Sequence, residues 1–340
     1  MAVTTRVSNA TKNFLMPKLV EGVLQGNIGV SFFLVRAKKW RGAQEEVPFK
    51  FEKNANGGSF TGFDLLNTAA VDNTIKLTYD AAFNEISVVL PKSDLSLNDT
   101  EEKVADLMER QIMSDAFDLA DNIGNQFYGD GTGNGGKDLL GLEGIVDDGT
   151  NVATIGGQAR ATYPALNGSV TASGGALTLA LMYAEWDNVQ EGMQEPSLIL
   201  TTKTVRSLYN QLLEPKERYT LPVSGRDKLF MTTGAEQLAF RSAPIVADSK
   251  CPAGLMYFLN ERSLEFRALP KWPLAEPINF MMEAMDGEPS PEIPKGLGFH
   301  WTGWVKPVNQ EAIVGRVIHA GNFIVKNPRY NGKLTGITSI

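Results

Sequence analysis

The sequence has one cysteine, Cys251, and two histidines, His300 and His319, in 340 residues. A single thiol excludes an intramolecular disulfide framework, and three such ligands are too few for a structural zinc site. No apolar h-region follows Met1-Ala2-Val3-Thr4-Thr5-Arg6, so no signal peptide is read there. The longest apolar stretches, near Val30–Val35 and Ala176–Ala184, fall well short of the ~18 residues that span a bilayer. No Gly-x-Ser-x-Gly elbow and no His-Glu-x-x-His occurs. Basic character is also missing: the net charge is −7 and the pI about 5.1. An exposed basic groove for nucleic acid is thereby not supported, and any DNA contact is weak and local.

What is present is an ordinary globular composition, 43% hydrophobic and 21% charged. The length suits about two domains. Charge is unevenly spread. Residues 1–60 carry 9 basic and 4 acidic side chains, and residues 61–160 carry 6 and 18. From Lys295 onward six basic residues face one acid, Glu311. Both ends are basic and the middle is acidic. The pattern reads either as separate solvated surfaces or as complementarity, within one chain or between copies. The second reading pairs Arg36, Lys38, Lys39, Arg41, Lys50 and Lys53 with Asp106, Glu109, Asp115, Asp118 and Asp121 of a neighbouring copy.

Residues 1–30 read as an extended arm with at most a short helix near Leu19–Gln25, and Ile28–Val35 as a short strand. Residues 44–90 read as a long β-ribbon. Val47, Phe49 and Phe51 alternate with polar residues, and so do Ile75, Leu77 and Tyr79. A turn cluster, Asn54–Ser59, lies between them, and Ala82–Leu90 closes the ribbon. Such a ribbon has little core of its own and must pack on something else.

The strongest helix signal spans 98–128. Asn98 and Asp99 are N-cap candidates, with Glu101 and Glu102 at capping-box spacing. Val104, Met108, Ile112, Ala116, Leu119, Ile123 and Phe127 run along one face, and the opposite face is acidic. Beyond a glycine-rich break, helices fit Leu177–Met193 and Thr204–Leu213. Strands fit Ser197–Leu200, Ala243–Ala247, Met256–Leu259, Leu264–Leu269, Ile278–Ala284, Gly298–Val305 and Ala312–Val325. Without regular βαβ repetition, the class is α+β.

Gly131-Thr132-Gly133-Asn134-Gly135-Gly136-Lys137 matches a dinucleotide fingerprint and a P-loop on paper. Both need a strand before and a helix after. Here a helix precedes, turns follow, and Asp138 stands where a P-loop needs Ser or Thr. A structural connector is the preferred reading. Asp130, Thr132 and Asn134 have calcium-loop spacing, but Gly141 has no side chain for the twelfth position. His300 and His319 read as packed or half-exposed strand residues. Cys251 reads as an inert or surface thiol. No catalytic, cofactor or metal residue is assigned.

The order of these elements ends in Asn327-Pro328-Arg329-Tyr330-Asn331-Gly332-Lys333-Leu334-Thr335-Gly336-Ile337. With Phe127-Tyr128-Gly129-Asp130-Gly131-Thr132, Gly141-Leu142-Glu143-Gly144-Ile145 and Gly156–Pro164, the chain resembles the major capsid protein of tailed bacteriophages. That fold is shared with herpesviruses and encapsulins. The resemblance implies an N-terminal arm (1–34), an extended loop (35–95) and a peripheral domain with the spine helix (96–189). It implies an axial domain (190–297) and a return to the peripheral domain (298–340). It implies pentamers and hexamers closing into an icosahedral head around double-stranded DNA, in the virion and, during assembly, in the host cytoplasm. The implied partners are further copies, portal and scaffolding proteins, and a possible decoration protein, with no cofactor and no membrane. The scaffold would be a separate protein or a segment removed beforehand. Some members join a loop lysine to a neighbour's asparagine with a buried glutamate as base. Here the ribbon tip, 54–62, has no lysine, so a non-covalent shell is expected. Asn327 and Asn331 are the candidate acceptors, with Glu311 the only acid nearby. Two other readings stay open: an encapsulin-like compartment, and an α+β enzyme using the glycine-rich loop on a nucleotide.

Overall fold

The computed structural model describes residues 22, 26–97, 101–213, 238–273, 276–277, 295–308 and 310–340. The helix expected near Leu19–Gln25, the caps Asn98 and Asp99, and the strand expected over Ile278–Ala284 lie outside the described residues. The helices of six or more residues are α1 (Ile28–Leu34), α2 (Lys92–Leu97), α3 (Glu101–Phe127), α4 (Leu179–Val189) and α5 (Lys203–Leu213). The first strands are β1 (Lys38–Lys39), β2 (Gln44–Lys50), β3 (Thr74–Asp80) and β4 (Ala82–Pro91). Then come β5 (Thr154–Ile155), β6 (Gln158–Ala159), β7 (Ser169–Ala172), β8 (Leu198–Thr201), β9 (Ala239–Phe240) and β10 (Ala243–Ala247). The last are β11 (Met256–Leu259), β12 (Leu264–Ala268), β13 (Glu276–Pro277), β14 (Phe299–Val305), β15 (Ala312–Val325) and β16 (Gly332–Thr335).

Two six-stranded sheets organise the chain. The first runs β1-β12-β15-β14-β13, with β4 also paired along β15 from Gly321↔Ala82 to Ala312↔Pro91. The second runs β7-β16-β11-β8-β10-β9. Strands β8 and β11 are buried on both faces. Leu198, Leu200, Tyr257 and Leu259 join the core around the first sheet. Ile199, Met256 and Phe258 join the core under α4 and α5. Period-2 alternation thus serves two cores at once. The sheets do not divide at 190 and 297. Strand β12 belongs to the first sheet, whereas β7, α4 and β16 complete the layer built on the second.

Helix α3 has 27 residues, about 40 Å at 1.5 Å per residue. Met108, Ile112, Leu119, Ile123 and Phe127 are buried along its inner face and Val104 is half-buried. It packs on β4, where Gln126 Nε2 donates to Asn84 Oδ1 at 2.8 Å.

Ile28–Leu34 is a helix, not the expected strand. A short apolar run does not distinguish the two by periodicity. A distant residue decides: the Gly29 amide donates to Asp248 Oδ2 at 2.9 Å. The carboxylate takes up an amide that the first helical turn leaves open.

The ribbon is β2 paired with β3, from Gln44↔Asp80 to Lys50↔Thr74. Strand β4 is not part of it, because its inward residues serve β15 and α3. Nor is the stem coreless. Val47, Phe49, Leu77 and Tyr79 are buried in the same core as α3, and the Tyr79 hydroxyl donates to Val325 O at 2.8 Å. The β5–β6 hairpin closes on the stem, with Thr78 N donating to Gly156 O at 3.0 Å. Only the tip, about residues 52–73, stands clear.

Candidate assembly surfaces

The tip is held open by its own polar groups. Asn67 Nδ2 donates to Asn56 Oδ1 at 2.7 Å, and Asn56 Nδ2 donates to Ala69 O at 2.5 Å. Inside this clip, the Thr61 amide and hydroxyl donate to Asp64 Oδ2 at 2.7 and 2.9 Å. Those bonds hold the Asp64 carboxyl below its ordinary range. The turn displays four apolar side chains: Phe63 and Leu65 fully exposed, Phe60 at 64% and Leu66 at 61%. Burying one such side chain is worth about 1.5–3 kcal/mol. The tip is therefore an ordered turn with no core beneath it.

The six candidate cations have different surroundings. Arg36 stacks on Phe32 at 3.9 Å and pairs with Glu261 at 3.5 Å. Lys38 pairs with Glu265 at 2.7 Å. Lys39, Arg41, Lys50 and Lys53 are exposed. Glu265 is the centre of a network that sequence reasoning missed. It also meets Arg267 at 2.8 Å and Lys326 at 3.2 Å, and Arg267 pairs in turn with Glu45 at the ribbon root. Burial alone would raise the Glu265 carboxyl. Hydrogen bonds from Lys38 and Arg267, with the Lys326 charge, hold it at about 2. The alternation Leu264-Glu265-Phe266-Arg267 signalled that acid and base share one strand face.

The five spine acids do not form one exposed face. Asp106, Asp118 and Asp121 are exposed, Glu109 is half-buried and Asp115 is buried at 8%. Asp106 pairs with Arg110 at 2.7 Å, one helical turn on. Asp121 pairs with Lys250 of its own chain. Asp115 lies between the turns of Ile112 and Leu119. Burial raises its carboxyl; Gln111 donates to one oxygen at 3.0 Å and the other has no partner among the described residues. Phe117, 60% exposed, adds an apolar side chain to the outer surface.

The glycine-rich loop is filled by its own side chains. Asp130 Oδ1 accepts from the Thr132 amide at 2.9 Å and hydroxyl at 2.8 Å. A β-carbon on Gly133 would overlap the Asp138 carboxylate, and one on Gly141 would lie 2.3 Å from the carbonyls of Gln126 and Gly129. The buried Arg160 guanidinium donates to the carbonyls of Gly144 at 2.7 Å, Asp147 at 2.8 Å and Ile145 at 3.2 Å. The Gly141–Ile145 and Gly156–Pro164 segments are thereby joined into one packed unit.

His300 and His319 are both fully buried, neither half-exposed. Cys251 is buried, not a surface thiol, and burial beside Asp248 pushes it up to about 12. Asn331 is buried too: its Nδ2 donates to Ser263 Oγ at 2.9 Å and its Oδ1 accepts from Asn260 N at 3.0 Å. Asn327 accepts from the Arg329 amide at 3.3 Å. Exposed Glu311 lies between Lys92 at 2.7 Å and Lys306 at 3.0 Å. Among the described residues no group of three His, Cys, Asp or Glu is placed to hold a metal, and no helix is long and apolar enough to cross a membrane.

In sequence the chain matches no protein-family model and no curated protein. In three dimensions it is similar to a chain of the cyanophage A-1(L) capsid. The TM-score is 0.67 at 17% identity, over 91% of this chain and 92% of that one. The chain has the phage capsid fold. This fold also covers its likeness to the holo SrpI encapsulin of Synechococcus elongatus, with TM-score 0.53 at 12% identity, over 89% of this chain and 86% of that one. The capsid of a native GTA particle is similar at TM-score 0.53 and 10% identity, over 90% of each chain.

Proposed function

We propose that this chain is the major capsid protein of a tailed phage. Copies form pentamers and hexamers that close into an icosahedral head around double-stranded DNA. The observation that carries the reading is the ribbon tip. Its four apolar side chains are ordered in solvent, and a neighbouring copy offers the burial that its own subunit does not. Repetition then matters, since a modest gain per contact is summed over every subunit. An acidic balance of −7 suits a container whose wall must not hold its DNA tightly.

On this reading the first sheet and α3 form the peripheral domain, and the second sheet with α4 and α5 forms the axial domain. Portal, scaffolding and decoration proteins would be its partners in the virion. Exposed Arg41, Lys50 and Lys53 would meet Asp118 of a neighbour, and Arg36 and Lys38 pair with acids of their own chain. The likeness to an encapsulin keeps a cargo compartment as the second reading. A nucleotide enzyme is disfavoured because Asp130 and Asp138 place negative charge in the glycine-rich loop.

Sedimentation and electron microscopy of the purified chain with its accessory proteins test the proposal. Closed megadalton shells are expected. Monomers near 37 kDa under all such conditions overturn it. Packaged nucleic acid identifies a virus head, and a co-purifying enzyme identifies an encapsulin.

A further inference from the structure

His319 lies in β15, fully buried, and neither ring nitrogen has a hydrogen-bond partner among the described residues. Its ring stacks on Phe266 at 5.5 Å with 16° between planes, and Phe299 lies 4.5 Å away. Phe266 meets Phe323 at 4.9 Å. Phe323 in turn meets Phe127, the last residue of α3, at 5.2 Å, and Phe33 of α1 at 5.6 Å. One chain of aromatic contacts thus links the imidazole to the junction of α1, α3 and the first sheet.

Among the described residues around the ring, none balances a positive charge on it. On β12, Glu265 and Arg267 alternate with Phe266 and face the other side, toward Lys38 and Lys326. On β4 the paired residue is the uncharged Asn84, which binds Gln126 of α3, and its neighbour Glu85 is exposed. Arg316 of β15 is exposed as well. From β14 comes His300, itself buried, with Nε2 3.2 Å from Leu269 O. A proton on His319 would place an unpaired charge in an aromatic core.

We propose that His319 is a proton-sensitive latch: its neutral ring closes the junction of α1, α3 and the first sheet, and mild acid favours the opened junction by protonating the ring once it is released. Burial, and secondarily the His300 charge, lower the His319 imidazole from its ordinary 6.5 to about 3. The fold therefore holds the neutral ring, and the unfolded chain takes the proton first. Stability supplied by the neutral ring is complete above pH 6.5 and falls as the pH drops from 6.5 toward 3. Between pH 7 and 5 this one group lowers the folded-to-unfolded ratio about 25-fold.

Urea unfolding of the full chain at pH 7 and pH 5 tests the latch, with His319→Leu and His300→Gln as variants. The wild type should lose about 25-fold more of its folding equilibrium on acidification than His319→Leu, and His300→Gln should keep most of that loss. Equal loss in wild type and His319→Leu overturns the proposal. Should His319→Leu fail to fold, hydrogen–deuterium exchange at the His319 ring carbon of the wild type decides. A protection factor, taken against free histidine at the same pH, that falls about 25-fold from pH 7 to pH 5 supports the latch, and one unchanged between them overturns it.

Discussion

Gly29 and Asp248, 219 residues apart, meet through one hydrogen bond from the Gly29 amide to Asp248 Oδ2, at 2.9 Å. The contact also explains the glycine. A β-carbon there would lie 2.7 Å from that oxygen and 2.9 Å from Phe127 Cε1. Gly29→Ala is expected to cost about 1–3 kcal/mol by overpacking. Asp248→Ala is expected to cost about 1 kcal/mol through the lost cap. Urea midpoints read both, and an unchanged midpoint for Gly29→Ala would refute the close approach.

Glu265 holds three cations at the root of the ribbon. Glu265→Gln leaves Lys38, Arg267 and Lys326 without their shared acid and should cost on the order of 3 kcal/mol. The folded carboxyl lies at about 2 against an ordinary 4.5. Its contribution is thus present above pH 4.5 and is lost as the pH falls toward 2. Thermal unfolding at pH 7 and pH 3 should separate wild type from variant clearly at 7 and much less at 3.

The ribbon tip separates folding from assembly. Phe63→Ser with Leu65→Ser removes two fully exposed apolar side chains. The monomer's melting temperature should stay within about a degree, since no described residue of the subunit covers them. Shell yield in sedimentation should fall at least tenfold, as each buried side chain is worth about 1.5–3 kcal/mol. Normal yield would place the contact elsewhere.

The proposed charge contacts between copies predict salt sensitivity. Each exposed pair is worth only about 0–1 kcal/mol, but the shell repeats it. Assembly monitored by light scattering should weaken between low and high salt, and changing Lys50 and Lys53 to Glu should abolish that dependence. An unaltered salt response would make these residues plain solvated surface.

A non-covalent shell is expected. Asn331 is buried and doubly hydrogen-bonded, and the ribbon tip carries no lysine. Assembled particles boiled in detergent should run as one band near 37 kDa. A ladder resistant to boiling would point to linkage through Lys53 or Lys50.

The sequence by itself determined the elements whose burial repeats locally. The ribbon strands follow from Val47-x-Phe49 and Leu77-x-Tyr79. The spine follows from Met108, Ile112, Leu119 and Ile123, because pleat and helix each write a short period into the chain. Element order then carried the capsid resemblance without any single strong motif. Tertiary structure alone decided what depends on residues far apart in sequence. Asp248 makes Ile28–Leu34 a helix, and β15 takes β4 away from the ribbon. Asp115 and the two histidines are buried, and Glu265 gathers Lys38, Arg267 and Lys326. Periodicity reports which side of an element is apolar. It does not report which distant group arrives to cover that side, or to satisfy a charge there, and those arrivals set the chemistry of the interior.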